Sequence, residues 1–178
     1  MLKLVTAFEI DYESIIDYRK SFISSAMDCS FAVYGAKKDN KDEYLKWLSE
    51  LRIITHYYLI DDVNPCYIIG DGSIDNYLNY HMEYLNNGAI SYIIRPNERN
   101  KNYGTRLLSL LLKKCQSFGM QEVCVSCLEN NLGSKKIIEK NGGQLEKRFH
   151  DPYSCQYGMK YWIELEEKSL IKSSKNIY

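Results

Sequence analysis

"YIIRPNERNKNYGTRLLSLLLKKC", Tyr92 to Cys115, changes character twice. It opens as a β-like run, breaks at Arg95-Pro96 and crosses a polar stretch. At Gly104 it becomes a leucine-rich segment with helical spacing. A strand that empties through a polar turn onto a helix N-terminus presents backbone N–H groups without intrahelical partners, at the positive end of the helix dipole. Such a turn aims several amides at one phosphate group. Gly104 leaves room for a phosphate to approach the backbone, and Asn102 is a residue type that tolerates the left-handed conformation these loops demand. Arg99, Lys101 and Arg106 add positive charge. A solvated turn ahead of an amphipathic helix would read the same way, so the turn alone leaves both readings open. It is not a Walker loop, since no Gly-Lys-Ser/Thr follows, and GxGxxG is absent.

Working outward, the chain has 178 residues, enough for one domain with its own core. At 45% hydrophobic and 26% charged it has the composition of a folded globular chain rather than a disordered one. Lys+Arg and Asp+Glu both total 23, which argues against a nucleic-acid partner. The balance hides an asymmetry. Residues 95 to 140 hold nine Lys/Arg against four Asp/Glu, so the segment with the polar turn is basic and the remainder acidic. No apolar run approaches the ~20 residues of a membrane span, and no signal-peptide h-region opens the chain. A cytoplasmic protein with no membrane partner is expected. The six cysteines have no disulfide spacing and should stay reduced. Cys124-Val-Ser-Cys127 spells CxxC, but it lies in an alternating, strand-like run where residues three apart face opposite ways, so no metal is expected.

The rest of the chain alternates between elements. A strand is predicted near Leu2–Phe8. The next segment puts Tyr12, Ile15, Ile16, Phe22, Ile23 and Ala26 on one helical face, and a second helix carries Tyr44, Trp47, Leu48 and Leu51 behind an Asp39/Asn40 cap. Strands are predicted at Ile53–Ile60, Cys66–Gly70 and Ala89–Ile94. A helix follows from Gly104 to Phe118, ended by Gly119, and a strand at Glu122–Leu128. A short helix capped by Asn131 stops at Gly142-Gly143, and "GQLEKRF" and "YGMKYWIEL" form a terminal hairpin. Strand–helix–strand over residues 89–128 reads as a right-handed crossover between parallel strands, so the sheet is mixed.

A strand ending in I-x-P, then R-x-x-N-x-G, an amphipathic helix, a second strand and N-x-x-S opening a short helix resembles the GNAT acetyltransferases. The match covers residues 89–143. "LN" (Leu78-Asn79), "IRPNER", "IEKNGG" and "YWIEL" are similar to a bacterial subgroup of predicted GNAT acetyltransferases. The resemblance implies an α/β (α+β) GNAT fold in one domain over residues 1–166, followed by a polar tail, 167–178. Its mixed, mostly antiparallel central sheet would have six to seven strands, with flanking helices and the parallel crossover. It also implies acetyl-CoA as cosubstrate, without a metal. The pyrophosphate would be gripped by Arg99, Asn100, Lys101, Asn102, Tyr103, Gly104 and Thr105, with Asn102 standing where the family's middle glycine usually is. The pantetheine arm would meet Asn131, with Ser134 near it, and the fourth strand would contribute Ile93 and Ile94.

The implied reaction is direct transfer of acetyl to a primary amine of a small molecule or peptide, with a backbone N–H in Tyr92–Ile94 holding the oxyanion. Two positions depart from the family. Ile138 stands where many members carry a tyrosine that protonates the departing thiolate, and Ala89 stands where the subgroup tends to have histidine. Coenzyme A leaves tolerably without a donor, because a thiol has a pKa near 8.5. Losing general-acid help slows a reaction by about 10²–10⁴-fold without forbidding it. The catalytic acid and base are therefore unassigned, with His81, Glu83 and Tyr92 as candidate bases. A silent acyl-CoA-binding module is the alternative, and the tyrosine-rich 77–92 stretch suits a partner or homodimer surface.

Overall fold

Side-chain alternation divides the interior in two. In the strand Ile54–Asp61, Tyr57 and Leu59 enter one apolar cluster, while Tyr58 and Ile60 enter another on the opposite face, as the period of two requires. The structure, a computed structural model, describes residues 1–23, 40–50, 54–75, 88–151 and 155–165. Ala26, Asp39, Leu51, Ile53, Leu78, Asn79, His81, Glu83 and the tail 167–178 lie outside the described residues.

The described elements are β1 (Leu2–Val5), α1 (Tyr12–Ile23), α2 (Lys41–Glu50), β2 (Ile54–Asp61), β3 (Asn64–Asp75), β4 (Ile90–Ile94), α3 (Tyr103–Ser117), β5 (Glu122–Leu128), α4 (Leu132–Lys140), β6 (Gln144–Asp151) and β7 (Gln156–Glu164). The mixed α/β fold and the order of elements are those expected. Local chemistry sets the helix starts: Asp11 accepts from the Ser14 and Glu13 amides at α1, and Asn40 Oδ1 accepts from the Glu43 amide at 2.9 Å at α2. Gly119 and Gly142, both at positive φ, follow α3 and α4.

The seven strands among the described residues form two antiparallel sheets, ordered β1-β2-β3-β4 and β5-β7-β6. The expected crossover from β4 through α3 to β5 is present, but no parallel ladder joins its strands. One backbone bond does so instead, from the Ala89 N–H to the Cys124 carbonyl at 2.9 Å, beside a bond from the Gly88 N–H to Ser126 Oγ at 3.1 Å. The contact there is very close: a Cβ on Gly88 would stand 2.7 Å from Val125 Cα and Ser126 N. Only glycine lets the chain reach β5 at this point.

α3 and α4 cover one face of both sheets. Leu107, Leu108 and Leu111 of α3 and Ile138 of α4 join Val123, Val125, Tyr161 and Ile163 in one cluster. α1 and α2 cover the other face of the first sheet with Ile15, Tyr18, Phe22 and Tyr44. This second core is unusually polar. Tyr18 donates to Asp71 Oδ1 at 2.5 Å, Tyr44 and Tyr58 share a bond of 2.5 Å, and Arg19 lies 4.4 Å above the Tyr44 ring.

His56 sits in this layer, its Nε2 3.5 Å from Asp71 Oδ2 and its ring edge-on to Tyr58. A carboxylate so close would by itself favour a proton on the imidazole. Complete burial outweighs it, the Arg19 charge pushes the same way, and the His56 pKa is pushed down to about 3. Between pH 6.5 and 3 the unfolded chain therefore holds a proton at His56 that the folded chain does not, and stability falls as pH drops through that window. The low-lying carboxylates of Glu9, Asp11 and Asp61 add their own loss only near and below about pH 4. Urea unfolding should therefore show a loss of about 1 kcal/mol between pH 6 and 5. His56→Asn, whatever its absolute stability, should flatten that interval; parallel profiles for the two proteins would show that His56 is not the group responsible.

Candidate functional site

The polar turn has the backbone of an anion cradle. After β4, Pro96–Glu98 forms one 3₁₀ turn, and Asn100 and Asn102 then take left-handed φ values of 62° and 65°. Left-handed residues at such positions curl the chain so that successive N–H groups face one concavity. Asn102 caps α3 without any side-chain cap bond, and the Arg106 N–H donates to its carbonyl at 3.3 Å. The amides of Tyr103, Gly104 and Thr105 precede that bond and have no intrahelical acceptor. The conformation expected of Asn102 is the one it adopts.

Two of the basic side chains of the turn have partners close by. Arg99 Nε donates to the Ile94 carbonyl at 3.2 Å, tying the turn to the end of β4, and Lys101 pairs with Glu98 at 3.0 Å. Arg106 is exposed. Gly104 is buried, and a Cβ there would point 2.5 Å from Ile137 Cδ1 and 3.7 Å from Ile94 Cγ1. A side chain there would press on the end of Ile137, so the packing of α3 on α4 also bears on this position. Thr105 accepts through its carbonyl from Asn141 Nδ2 at 3.2 Å, which also holds α4 to α3.

The edge of β4 forms the second part of the site. At its two ends, Asp75 N–H donates to Ala89 C=O and Arg95 N–H donates to Ile69 C=O. With the register Asp71↔Ile93 and Ser73↔Ser91, the antiparallel alternation turns the backbone groups of Ser91 and Ile93 toward β3 and those of Ile90, Tyr92 and Ile94 toward the seam with β5. Ile93 therefore offers the seam no amide, and its side chain packs against the α1–α2 core. Ile94 is buried on the α3 side and offers the seam its N–H.

Tyr92 crosses the gap. Its ring packs against the α3–α4 core and its hydroxyl reaches the Ser134 carbonyl at 3.5 Å. Burial pushes the phenol up to about 12, with Cys127 adding to the effect. Burial thus favours the neutral phenol, an O–H donor. At the start of α4, Asn131 Oδ1 accepts from the Ser134 N–H at 3.0 Å, the cap that the sequence suggests. Asn131 is exposed, and its Nδ2 takes no part in the cap, whose acceptor is Oδ1. Ile138, one turn further on, is fully buried, and Ala89 is buried where the chain touches β5.

The two CxxC cysteines do not come together. In the ladder with β7, Cys124 faces Trp162 and Cys127 faces Met159, so the CxxC sulfurs lie on opposite faces. Burial pushes the Cys124 thiol up to about 11. Among the described residues no group of three or more His, Cys, Asp or Glu side chains could hold a metal ion.

Arg95, read from sequence only as the residue before a proline, proves to be an anchor. It is buried, donates from Nε to the Ile68 carbonyl at 2.7 Å, lies 4.2 Å over the Tyr67 ring and reaches Asp17 at 2.9 Å. Charged hydrogen bonds of this kind contribute about 1.5–3 kcal/mol, whereas the pair with the largely exposed Asp17 adds little. Arg95 thus fixes the end of β4 at the point where the turn departs. No sequence signal for this exists beyond the tyrosines that flank it in space.

A comparison with curated proteins finds no match. Among solved structures, a chimera of the Vibrio cholerae spermidine N-acetyltransferase SpeG and hSSAT shares 13% identity over 92% of this chain and 95% of its own, with a TM-score of 0.66. RimL, a ribosomal α-N-protein acetyltransferase in complex with coenzyme A, shares 12% over 92% of this chain and 94% of its own, TM-score 0.66. The Campylobacter jejuni N-acetyltransferase PseH in complex with acetyl coenzyme A shares 14% over 93% of this chain and 100% of its own, TM-score 0.60. These likenesses concern the fold. The model of the acetyltransferase (GNAT) domain matches residues 13–144, and the chain belongs to the GNAT acetyltransferase family.

Proposed function

We propose that this protein is an acetyl-CoA-dependent N-acetyltransferase that moves an acetyl group directly from acetyl-CoA to a primary amine of a small molecule or peptide. The observation that carries the proposal is the joining of two features at the end of one strand. An amide-lined turn with left-handed Asn100 and Asn102 lies next to a β4 edge whose backbone groups at Tyr92 and Ile94 face a seam without a ladder. The turn suits a pyrophosphate, and the open edge suits the peptide-like pantetheine arm, which carries the same N–H and C=O groups as a strand. The exposed amide of Asn131 borders that path.

Within this reading the chemistry divides among a few groups. The acceptor nitrogen attacks the thioester carbonyl, and the N–H of Tyr92, turned toward the seam, takes the developing oxyanion. One such donor contributes around 3 kcal/mol to the barrier. The alternative, an acyl-CoA-binding module without turnover, is favoured by one observation: Ile138 is wholly buried and offers no proton where the family usually has a phenol.

An amine-library screen with acetyl-CoA, read by release of free thiol, separates the two. Acetyl-CoA at a hundred times its Kd should stabilise the fold by about 2.7 kcal/mol, a rise of roughly 5–10 °C in Tm for a chain of this size. No shift at millimolar acetyl-CoA removes the proposal. Asn102→Gly should leave affinity unchanged or slightly tighter, since it relieves only a left-handed backbone.

Gly104→Val should lower both stability and affinity, because overpacking of α3 on α4 costs about 1–3 kcal/mol. Adding Ile137→Ala should restore both. Recovery of stability without recovery of affinity, measured by calorimetry, would mean that Gly104 contacts the coenzyme directly after all.

A further inference from the structure

We propose that the Tyr92 hydroxyl is the hydrogen-bond donor that stabilises the departing coenzyme thiolate, from β4 rather than from α4. The inference rests on the acetyltransferase reading above. It follows from where Tyr92 stands. Its backbone N–H faces the seam, and its side chain leaves β4 toward the first turn of α4, so that the hydroxyl sits beside Ser134. The bond to the Ser134 carbonyl is 3.5 Å, the outer limit for such a contact. That O–H is thus held by a long, weak bond and is available to an acceptor that comes closer.

The other groups near the seam are less suited. Ser126 Oγ already accepts from the Gly88 amide, Ile138 is apolar, and the half-buried Cys127 lies on the same α4 side with its own thiol raised by burial. One residue would then serve both charges of the reaction, its amide the oxyanion and its phenol the sulfur.

The step balances without an added reactant. The amine nitrogen forms the C–N bond, the carbonyl electrons move to oxygen and return, and the C–S bond breaks with its electron pair on sulfur. The thiolate accepts the Tyr92 hydrogen bond. The proton lost by the amine goes to solvent, and the thiolate takes its proton from solvent afterwards. Full transfer from the phenol would be uphill, since its pKa lies near 12 and that of the thiol near 8.5. The phenol therefore acts as a donor that keeps its proton.

Tyr92→Phe removes the oxygen and leaves the ring in the core. Acetyl-CoA affinity by calorimetry should be unchanged, and kcat with acetyl-CoA should fall about ten- to a hundredfold. With the selenoester analogue of acetyl-CoA, whose selenolate departs readily without help, the same variant should lose less than about threefold. A merely structural role for the hydroxyl would slow both donors alike, and that result overturns the proposal. An unchanged kcat overturns it too, while leaving the acetyltransferase reading intact. If the wild-type protein binds acetyl-CoA but acetylates no amine and releases no thiol to water, the acetyltransferase reading fails and this inference with it.

Discussion

A backbone N–H or C=O inside a protein has to be paired, and an open strand edge in the middle of a fold is therefore an unfinished structure. β4 has such an edge. β3 takes up the groups of Ser91 and Ile93 on one side, and on the other side, among the described residues, the bonds to β5 come from Gly88 and Ala89, before the strand begins. The rest of the architecture serves to hold this edge open and still keep the two sheets in one body. α3 and α4 do so by spanning both sheets with a single apolar cluster, so cohesion comes from side chains where the ladder is interrupted.

The opening is pinned at both ends. At the closed end, Gly88 permits a backbone approach that any Cβ would block, and its amide is bonded to Ser126. At the open end, Arg95 ties β4 back to β3 while Arg99 closes over the Ile94 carbonyl. The left-handed asparagines place the helix-start amides at that same end of β4. The polar layer under α1, with Tyr18 on Asp71 and neutral His56 behind it, braces β3 from the opposite face. Buried and hydrogen-bonded, it gives β4 a rigid partner strand to be measured against.

Local signals were legible in the sequence wherever local physics decides. β5 at Glu122–Leu128, the Asn131 cap and the helix from the Gly104 region all follow from periodicity and capping. Asn102 was readable because few residue types accept its φ. The division of the sheet was not readable, because β4 and β5 alternate like any paired strands and the lack of a ladder is a tertiary property. Gly104 carries a second constraint that no motif records: a Cβ there would meet Ile137, thirty-odd positions away. Arg95 was obscured in the same way, an ordinary strand end until Ile68 and Tyr67 are placed around it. Tyr92 stood out in the sequence as a candidate base, but its place beside Ser134 is a tertiary fact.

The buried Ile138 becomes less of an objection once the demands of acetyl transfer are ranked. An acceptor amine with a lysine-like pKa near 10.4 is neutral only about once in 2,500 at pH 7, a handicap of roughly 4.6 kcal/mol. The oxyanion needs around 3 kcal/mol from each good donor. A thiolate of pKa near 8.5 departs with much less assistance, and a single charge-assisted hydrogen bond, about 1.5–3 kcal/mol, covers it. The family phenol at the α4 position therefore addresses the smallest of the three needs. Replacing it with isoleucine adds a fully buried side chain to the core that joins α4 to β5 and β7 and removes help only where the reaction needs it least.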